Sequence, residues 1–130
     1  MQAQVPTNPY VALWSRLEGF RVEELEQLVL DREVVRIGVM RGTIHLLTAA
    51  DSLLLRPLTQ PVLDAVLRNH PDAGSALDGV DLEPVVAHAR SLLAERPSTA
   101  AELRTALAER FPGHQAAALA VACVLTLLLV

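Results

Sequence analysis

Apolar residues in the first third of the chain recur at helical spacing in two short stretches. The pair at 8–9, asparagine followed by proline, predicts a helix start, because asparagine caps helices and proline suits the first position. The apolar positions that follow, including Trp14 as a predicted core residue, lead to a stop at Gly19. A second helix is predicted over residues 22–30, and a short third helix over residues 32–36.

The apolar pattern then changes to the two-residue period of a strand. Residues 43–47 are rich in β-branched and aliphatic side chains and follow a glycine turn. On a strand, Ile44 and Leu46 share one face, while Thr43 and His45 share the other. The sequence therefore predicts a short β element at this point.

Helical patterning resumes after the β element. Thr48 begins a T-x-x-D pattern that is typical of a helix start. The apolar stretch 53–67 is interrupted by Pro57 and Pro61, and proline inside a helix removes a hydrogen bond and breaks the helix. We therefore predict a short helix, a break, and a second helix that ends near residue 69.

The last third of the chain predicts three further helices. Residues 71–80 are rich in Gly, Asp and Ser and read as a linker, after which a helix runs over 81–94. Thr99 and Glu102 have capping-box spacing at the start of the next helix. The uncharged segment 116–130 is shorter than the ~20 apolar residues that a membrane helix needs, so a buried helix is predicted.

This order of elements favours a mainly α protein built as a tandem winged helix, a helix-turn-helix variant with a short β element. The first unit covers residues 1–70, a linker covers 71–80, and a second unit covers 81–130. The second unit lacks its wing and is expected to be truncated, because the sequence ends on an apolar helix.

Composition adds constraints on partners and compartment. The formal net charge is −4, and all 11 basic residues are arginine, so no overall field attracts nucleic acid and DNA binding would need a local patch. Cys123 is the single cysteine, and no Cys/His cluster has zinc spacing, so we expect no disulfide, no metal and no cofactor. No signal peptide is visible. A cytoplasmic, non-membrane protein is expected.

Two glutamines near the start of the chain are the candidate chemical groups. Gln2 and Gln4 never ionise, so neither is a general acid or a general base. Two residues apart in an extended segment, they would project from the same face. The simpler interpretation is a flexible polar terminus, and both interpretations stay open from these residues alone.

Three stretches together resemble one protein family. They are Q-A-Q-V-P-T-N-P-Y-V-A-L-W-S-R-L, V-M-R-G-T-I-H-L-L-T-A-A-D and S-T-A-A-E-L-R-T-A-L-A-E-R-F-P-G. In this order they are similar to the winged-helix DNA-binding domain-containing proteins, the relatives of the bacterial AlkZ and YcaQ DNA glycosylases. The resemblance covers nearly the whole chain. In that family a segment usually precedes the glutamine motif and more domain follows the last helix, so the remainder of the full-length chain is expected to be missing.

The resemblance implies a protein that binds double-stranded DNA and a DNA glycosylase that excises alkylated or crosslinked purines. Gln2 and Gln4 match the family's catalytic Gln-x-Gln motif. Such a motif would position a water molecule, because an alkylated purine is already cationic and leaves without protonation. With this function in view, the candidate DNA-binding residues are Arg16, Arg36, Arg41, Thr43 and His45. Arg16 could contact a phosphate or anchor the glutamine loop, and a surface salt bridge is an equal alternative. For Arg41, Thr43 and His45, the alternative is a strand whose polar face is simply solvated.

Two other functions stay open at this point. The first is a non-catalytic winged-helix module that binds DNA or acts as a regulator, which needs only the fold. The second is a protein-interaction or membrane-associated fragment, suggested by the acidic balance and the apolar last segment.

Overall fold

The computed structural model of the chain describes residues 1–127. This part is mainly helical with a small antiparallel sheet, as predicted. The chain divides into two compact units, of which the first covers Met1–Leu63 and the second begins at Asp64. The helices are α1 (Asn8–Trp14), α2 (Val22–Leu30), α3 (Ala49–Arg68), α4 (Glu83–Glu95), α5 (Ala100–Arg110) and α6 (Ala116–Thr126), and the strands are β1 (Val34–Gly38) and β2 (Ile44–Thr48).

Helix α1 begins at Asn8, but the predicted cap is wrong, because Asn8 lies inside the helix and Thr7 is the N-cap residue. Pro9 lies in its first turn and is buried, and the helix ends at Trp14 rather than near Gly19. The prediction that Trp14 lies in the core is wrong, because 72% of the residue is exposed. This short helix turns Pro9 inward, which leaves Trp14 on the opposite side.

Helix α2 ends in a backbone motif that normally requires glycine. The N–H of Glu33 donates to the carbonyl of Leu28 (2.9 Å), and the N–H of Arg32 donates to that of Val29 (3.1 Å). These two bonds define a Schellman motif, whose central residue must adopt a positive φ. Here that residue is Arg32, at φ 60°.

The predicted helix over residues 32–36 is wrong, because the chain enters β1 instead. Val35, Ile37 and Val39 alternate with outward residues and form a buried cluster, which is the two-residue period of a strand. β1 pairs antiparallel with β2, placing Arg36 opposite Leu46 and Ile37 opposite His45. Two helices, rather than three, therefore precede the hairpin. This register confirms that Ile44 and Leu46 lie on one face of β2 and His45 on the other, while Thr43 lies before the strand.

The predicted break in α3 is also wrong. The helix is continuous over 20 residues with Pro57 and Pro61 inside it. Both prolines are exposed, while Arg56 and Leu63 are buried. The carbonyls that lose their N–H donors therefore lie where water can reach them, and burial of the other face holds the helix together. The helix start is confirmed, since the N–H of Asp51 donates to the Thr48 hydroxyl (3.1 Å).

The second unit packs α4, α5 and α6 against one another. The predicted capping box at the start of α5 is confirmed: Thr99 Oγ1 accepts from the N–H of Glu102, and the Glu102 carboxylate accepts from Thr99. Hydrogen bonds from the backbone and hydroxyl of Thr99, with one from Arg96, lower the pKa of Glu102 to about 2.

Helix α6 buries one face in the second unit. Leu119, Ala122 and Cys123 are fully buried, which confirms the predicted buried helix over residues 116–126. The end of the predicted segment, 128–130, lies outside the described residues. Burial raises the pKa of the Cys123 thiol to about 11. None of the helices within residues 1–127 is long and apolar enough to cross a membrane.

Candidate functional site

The start of the chain is tied to β2 as a short third strand-like segment. Met1 and Leu46 exchange two backbone hydrogen bonds, each of 2.8 Å, between their N and O atoms. The N–H of Ala3 donates to the carbonyl of Ile44, also at 2.8 Å. Ala3 is fully buried. The segment that carries the two glutamines is therefore held in place by the hairpin.

Gln2 lies directly opposite His45 in this pairing. Gln2 and His45 lie between the bonded pairs Met1–Leu46 and Ala3–Ile44. They therefore form a non-hydrogen-bonded pair, the type in which opposite side chains approach most closely. His45 Nδ1 lies 3.1 Å from the carbonyl oxygen of Thr43. Because a carbonyl only accepts, a hydrogen bond here requires the proton on Nδ1, and in that tautomer Nε2 is the acceptor nitrogen of the ring.

The two glutamine amides are used differently. Gln4 Oε1 accepts a hydrogen bond from the backbone N–H of Ile44 (3.1 Å). Among residues 1–127, no partner hydrogen-bonds to Gln4 Nε2 or to either end of the exposed Gln2 amide. The acceptor oxygen of Gln4 is thus bonded to the hairpin, while the Gln2 amide keeps its acceptor oxygen and two N–H donors free.

Arg36 reaches this segment from the far strand of the hairpin. Its Nε donates to the Ala3 carbonyl (2.9 Å), and its Nη2 donates to the Gln4 carbonyl (3.5 Å). Leu46 is the β2 residue opposite Arg36, so the side chain passes across β2 to reach Ala3. In the described part of the chain, no carboxylate forms an ion pair with this guanidinium.

The hairpin turn holds two further predicted site residues. Arg41 is exposed and adopts φ 55° and ψ 24°, followed by Gly42 at φ 72°. The Thr43 hydroxyl donates to the carbonyl of Met40 (2.9 Å) and so fixes the turn. Arg41 therefore projects from a turn whose backbone is closed by local bonds.

Arg16 belongs to a separate turn after α1. Its guanidinium donates to the carbonyl of Ala12 (2.8 Å) and to the Ser15 hydroxyl (3.2 Å). The structure thus brings together Gln2, Gln4, Arg36, Thr43 and His45, with Arg41 on the same hairpin, and does not link Arg16 to them.

A cleft of about 310 Å³ adjoins the segment on the Arg36 side of the hairpin. Its walls include Pro9 and Tyr10 of α1, Leu25 of α2 and Leu46 of β2. The sequence placed Pro9 at a helix start and Leu25 within the predicted helix over residues 22–30, but nothing in it pointed to Tyr10 as a neighbour of the glutamine segment. That neighbourhood depends on how α1 returns to the hairpin, which local patterns do not record.

No group of three or more His, Cys, Asp or Glu side chains in residues 1–127 is arranged to hold a metal ion. The polar groups gathered at the segment are instead two glutamine amides, the His45 imidazole and the Arg36 guanidinium, together with backbone carbonyls. Within the same residues, no carboxylate hydrogen-bonds to Gln2, Gln4, Thr43 or His45.

Comparison with protein families decides the relationship. The model of the family described as DNA glycosylase AlkZ-like matches residues 1–130. The chain belongs to the AlkZ-like DNA glycosylase family. Membership in this family implies DNA as the substrate and a glycosylase role. No curated protein and no solved structure matches the chain.

Proposed function

We propose that the protein is a monofunctional DNA glycosylase that removes alkylated purines, and that Gln2 holds the attacking water. The observation that carries the proposal is the free Gln2 amide, fixed opposite His45 by the pairing of Met1 and Ala3 with β2. Family membership supports the reaction class, and the arrangement of the segment supports the choice of residue.

An amide suits this reaction because the leaving base is already charged. In an N7- or N3-alkylated purine, the electron pair of the C1′–N bond passes to the base and neutralises it. Water adds to C1′, and its proton goes to solvent. The protein needs only to hold that water: Gln2 Oε1 and His45 Nε2 accept its hydrogen bonds, and Gln4 Nε2 donates to its oxygen.

The same chemistry limits the substrate. Because no carboxylate contacts the site among the described residues, nothing there supplies a strong acid or base to an unactivated leaving group. Undamaged purines, which leave only after protonation, are therefore not substrates of this proposed site.

The hairpin supplies the proposed DNA contacts. Arg41 at its exposed turn is positioned to meet a phosphate, with Thr43 at the end of that turn and His45 on β2. Arg16, in the turn that follows α1, would add a more distant phosphate contact. In a protein with a net charge of −4, this local set is what would draw the duplex to the glutamine segment.

We further propose that the first unit is a winged-helix module whose wing is the β1–β2 hairpin, and that the second unit is a related module. The hairpin that directly follows α2 supports the first part, with two helices before it where three were predicted. Because no helix covers residues 32–36, α2 would occupy the place just before the wing.

The test is release of N7-methylguanine from methylated duplex DNA. We expect Gln2→Ala to lower kcat about 100-fold, because an unpositioned water loses most of its effective concentration, and Gln4→Ala to lower it less. Gln27→Ala is the matched control, since Gln27 is an exposed glutamine of α2 whose amide donates to the Asp31 carboxylate just after that helix. Undiminished release by the Gln2→Ala, Gln4→Ala double variant would rule out the mechanism.

A second candidate function is a non-catalytic DNA-binding module. It is favoured by one observation: Gln4 Oε1 is committed to the Ile44 N–H, as in a purely structural role. Wild-type protein that binds duplex DNA with steep salt dependence, yet releases no base, would support this candidate. Absence of salt-dependent DNA binding would contradict both.

A further inference from the structure

We infer that Arg36 is a positioning residue that fixes the glutamine segment, rather than a residue that binds a DNA phosphate. The inference rests on the proposed function for its consequence in catalysis. Its structural basis does not depend on that function. Arg36 donates to the carbonyls of Ala3 and Gln4, and these two bonds tie the start of the chain to a strand more than thirty residues away.

The bonds of Arg36 replace one link of a regular ladder. In an antiparallel bonded pair the two residues exchange both N–H···O bonds, so the Ile44 N–H would donate to the Ala3 carbonyl. Here the Ile44 N–H donates to Gln4 Oε1, and the Ala3 carbonyl accepts from Arg36 Nε. The side chains of Arg36 and Gln4 thus replace the backbone bond that would join the Ile44 N–H to the carbonyl of Ala3, the residue next to Gln2.

This exchange couples Arg36 to the orientation of both glutamines. Ala3 is fully buried, so its carbonyl needs a partner from within the protein. Without the guanidinium, this carbonyl loses its donor, and the segment must open for water to reach it. That opening would also break the bond between Gln4 Oε1 and the Ile44 N–H and loosen the end of the segment that carries Gln2.

A guanidinium is the group that this geometry requires. Its planar fork donates from Nε and Nη2 to two successive carbonyls, whereas a lysine ammonium is a point charge on a flexible stem. We therefore expect Arg36→Lys, which keeps the charge, to fail to restore function. A phosphate contact, by contrast, would be largely retained by lysine.

Kinetics and salt dependence separate the two roles. For Arg36→Met and Arg36→Lys we expect kcat for N7-methylguanine release to fall about 10- to 100-fold, with KM within about twofold of wild type. The slope of log K against log salt for duplex binding should stay unchanged. A slope reduced by about 0.9, with kcat intact, is the result for one lost phosphate contact and would overturn the inference.

The matched control for the salt measurement is Arg41→Asn. It removes a proposed phosphate-binding charge from the same hairpin, and asparagine tolerates the left-handed backbone at that position. We expect this variant to reduce the salt slope by about 0.9, which shows that the assay detects the loss of one contact.

A second measurement does not depend on activity. By NMR hydrogen exchange, the Ala3 amide in Arg36→Met should exchange about tenfold faster or more, while the Leu47 amide of the β1–β2 ladder keeps its protection and reports an intact hairpin. Unchanged Ala3 exchange would refute the inference. If wild-type protein releases no base, the proposed function fails, but this measurement still decides the role of Arg36.

Discussion

Two arginines occupy a backbone region that side chains normally avoid. Arg32 has φ 60° at the end of α2, and Arg41 has φ 55° in the hairpin turn. A Cβ atom in the left-handed region costs about 1–2 kcal/mol, because it crowds the following carbonyl oxygen. At Arg41 this strain coincides with exposure and with the proposed contact to DNA, a combination typical of functional positions.

Replacing Arg41 should therefore separate stability from binding. We expect Arg41→Gly to raise the free energy of unfolding by about 1 kcal/mol, as backbone strain is relieved, while weakening duplex binding. Urea denaturation and DNA titration measure the two effects. Arg41→Asn provides the comparison, with weaker binding but little change in stability. A less stable Arg41→Gly variant would show that the turn is not strained.

The elements show where local sequence signals suffice and where they do not. The capping box of α5 and the faces of β2 depend on residues a few positions apart, and both were predicted. The bounds of α2 were predicted as well, but β1 was missed: the Schellman position holds Arg32 instead of glycine, so the pattern suggested a further helix over residues 32–36. The continuity of α3 was missed because burial of Leu63 outweighs Pro61.

The candidate site divides in the same way. The sequence and its family resemblance marked Gln2 and Gln4, but not that Arg36 holds their backbone. That contact depends on the pairing of residues 1–4 with β2 and on the hairpin register. Neither is encoded within a short window of sequence.

The loop between α3 and α4 packs tightly against the backbone at Gly74. A Cβ on Gly74 would overlap the carbonyl oxygen of Arg68 and lie 3.0 Å from that of His70. We expect Gly74→Ala to lower the free energy of unfolding by about 1–3 kcal/mol, because backbone atoms must move to admit the methyl group. Thermal unfolding followed by circular dichroism measures it.

Gly113→Ala is the control for that experiment. Gly113 has open space around its Cα and no positive φ, so the added methyl group meets nothing within 4 Å. Its unfolding temperature should remain close to that of wild type. Equal losses in both variants would contradict the assigned role of Gly74.

At the scale of the whole chain, the two compact units differ in their proposed roles. The proposed chemistry and the proposed DNA contacts lie in Met1–Leu63, while the second unit, from Asp64, contains the single cysteine. The overall charge of −4 makes no contribution to attracting DNA. Function is therefore expected to depend on the first unit, and Cys123 offers a separate probe of the second.

Thiol labelling should report the opening of the second unit. Cys123 is fully buried, and a pKa of about 11 instead of 9.0 leaves about a hundredfold less thiolate at pH 8. We expect labelling by an aromatic disulfide reagent to be far slower in native protein than in urea-unfolded protein, and faster in Gly74→Ala. Native labelling at the unfolded rate would contradict the burial of α6.

The attachment of Met1–Gln4 has a consequence for solubility. This segment covers the side of β2 that β1 leaves open, and an uncovered strand offers its N–H and C=O groups as a template for strands from other molecules. Any change that detaches the segment would therefore expose β2 as an aggregation-prone edge strand and also displace Gln2. Protection against aggregation and the proposed catalysis thus depend on the same four residues.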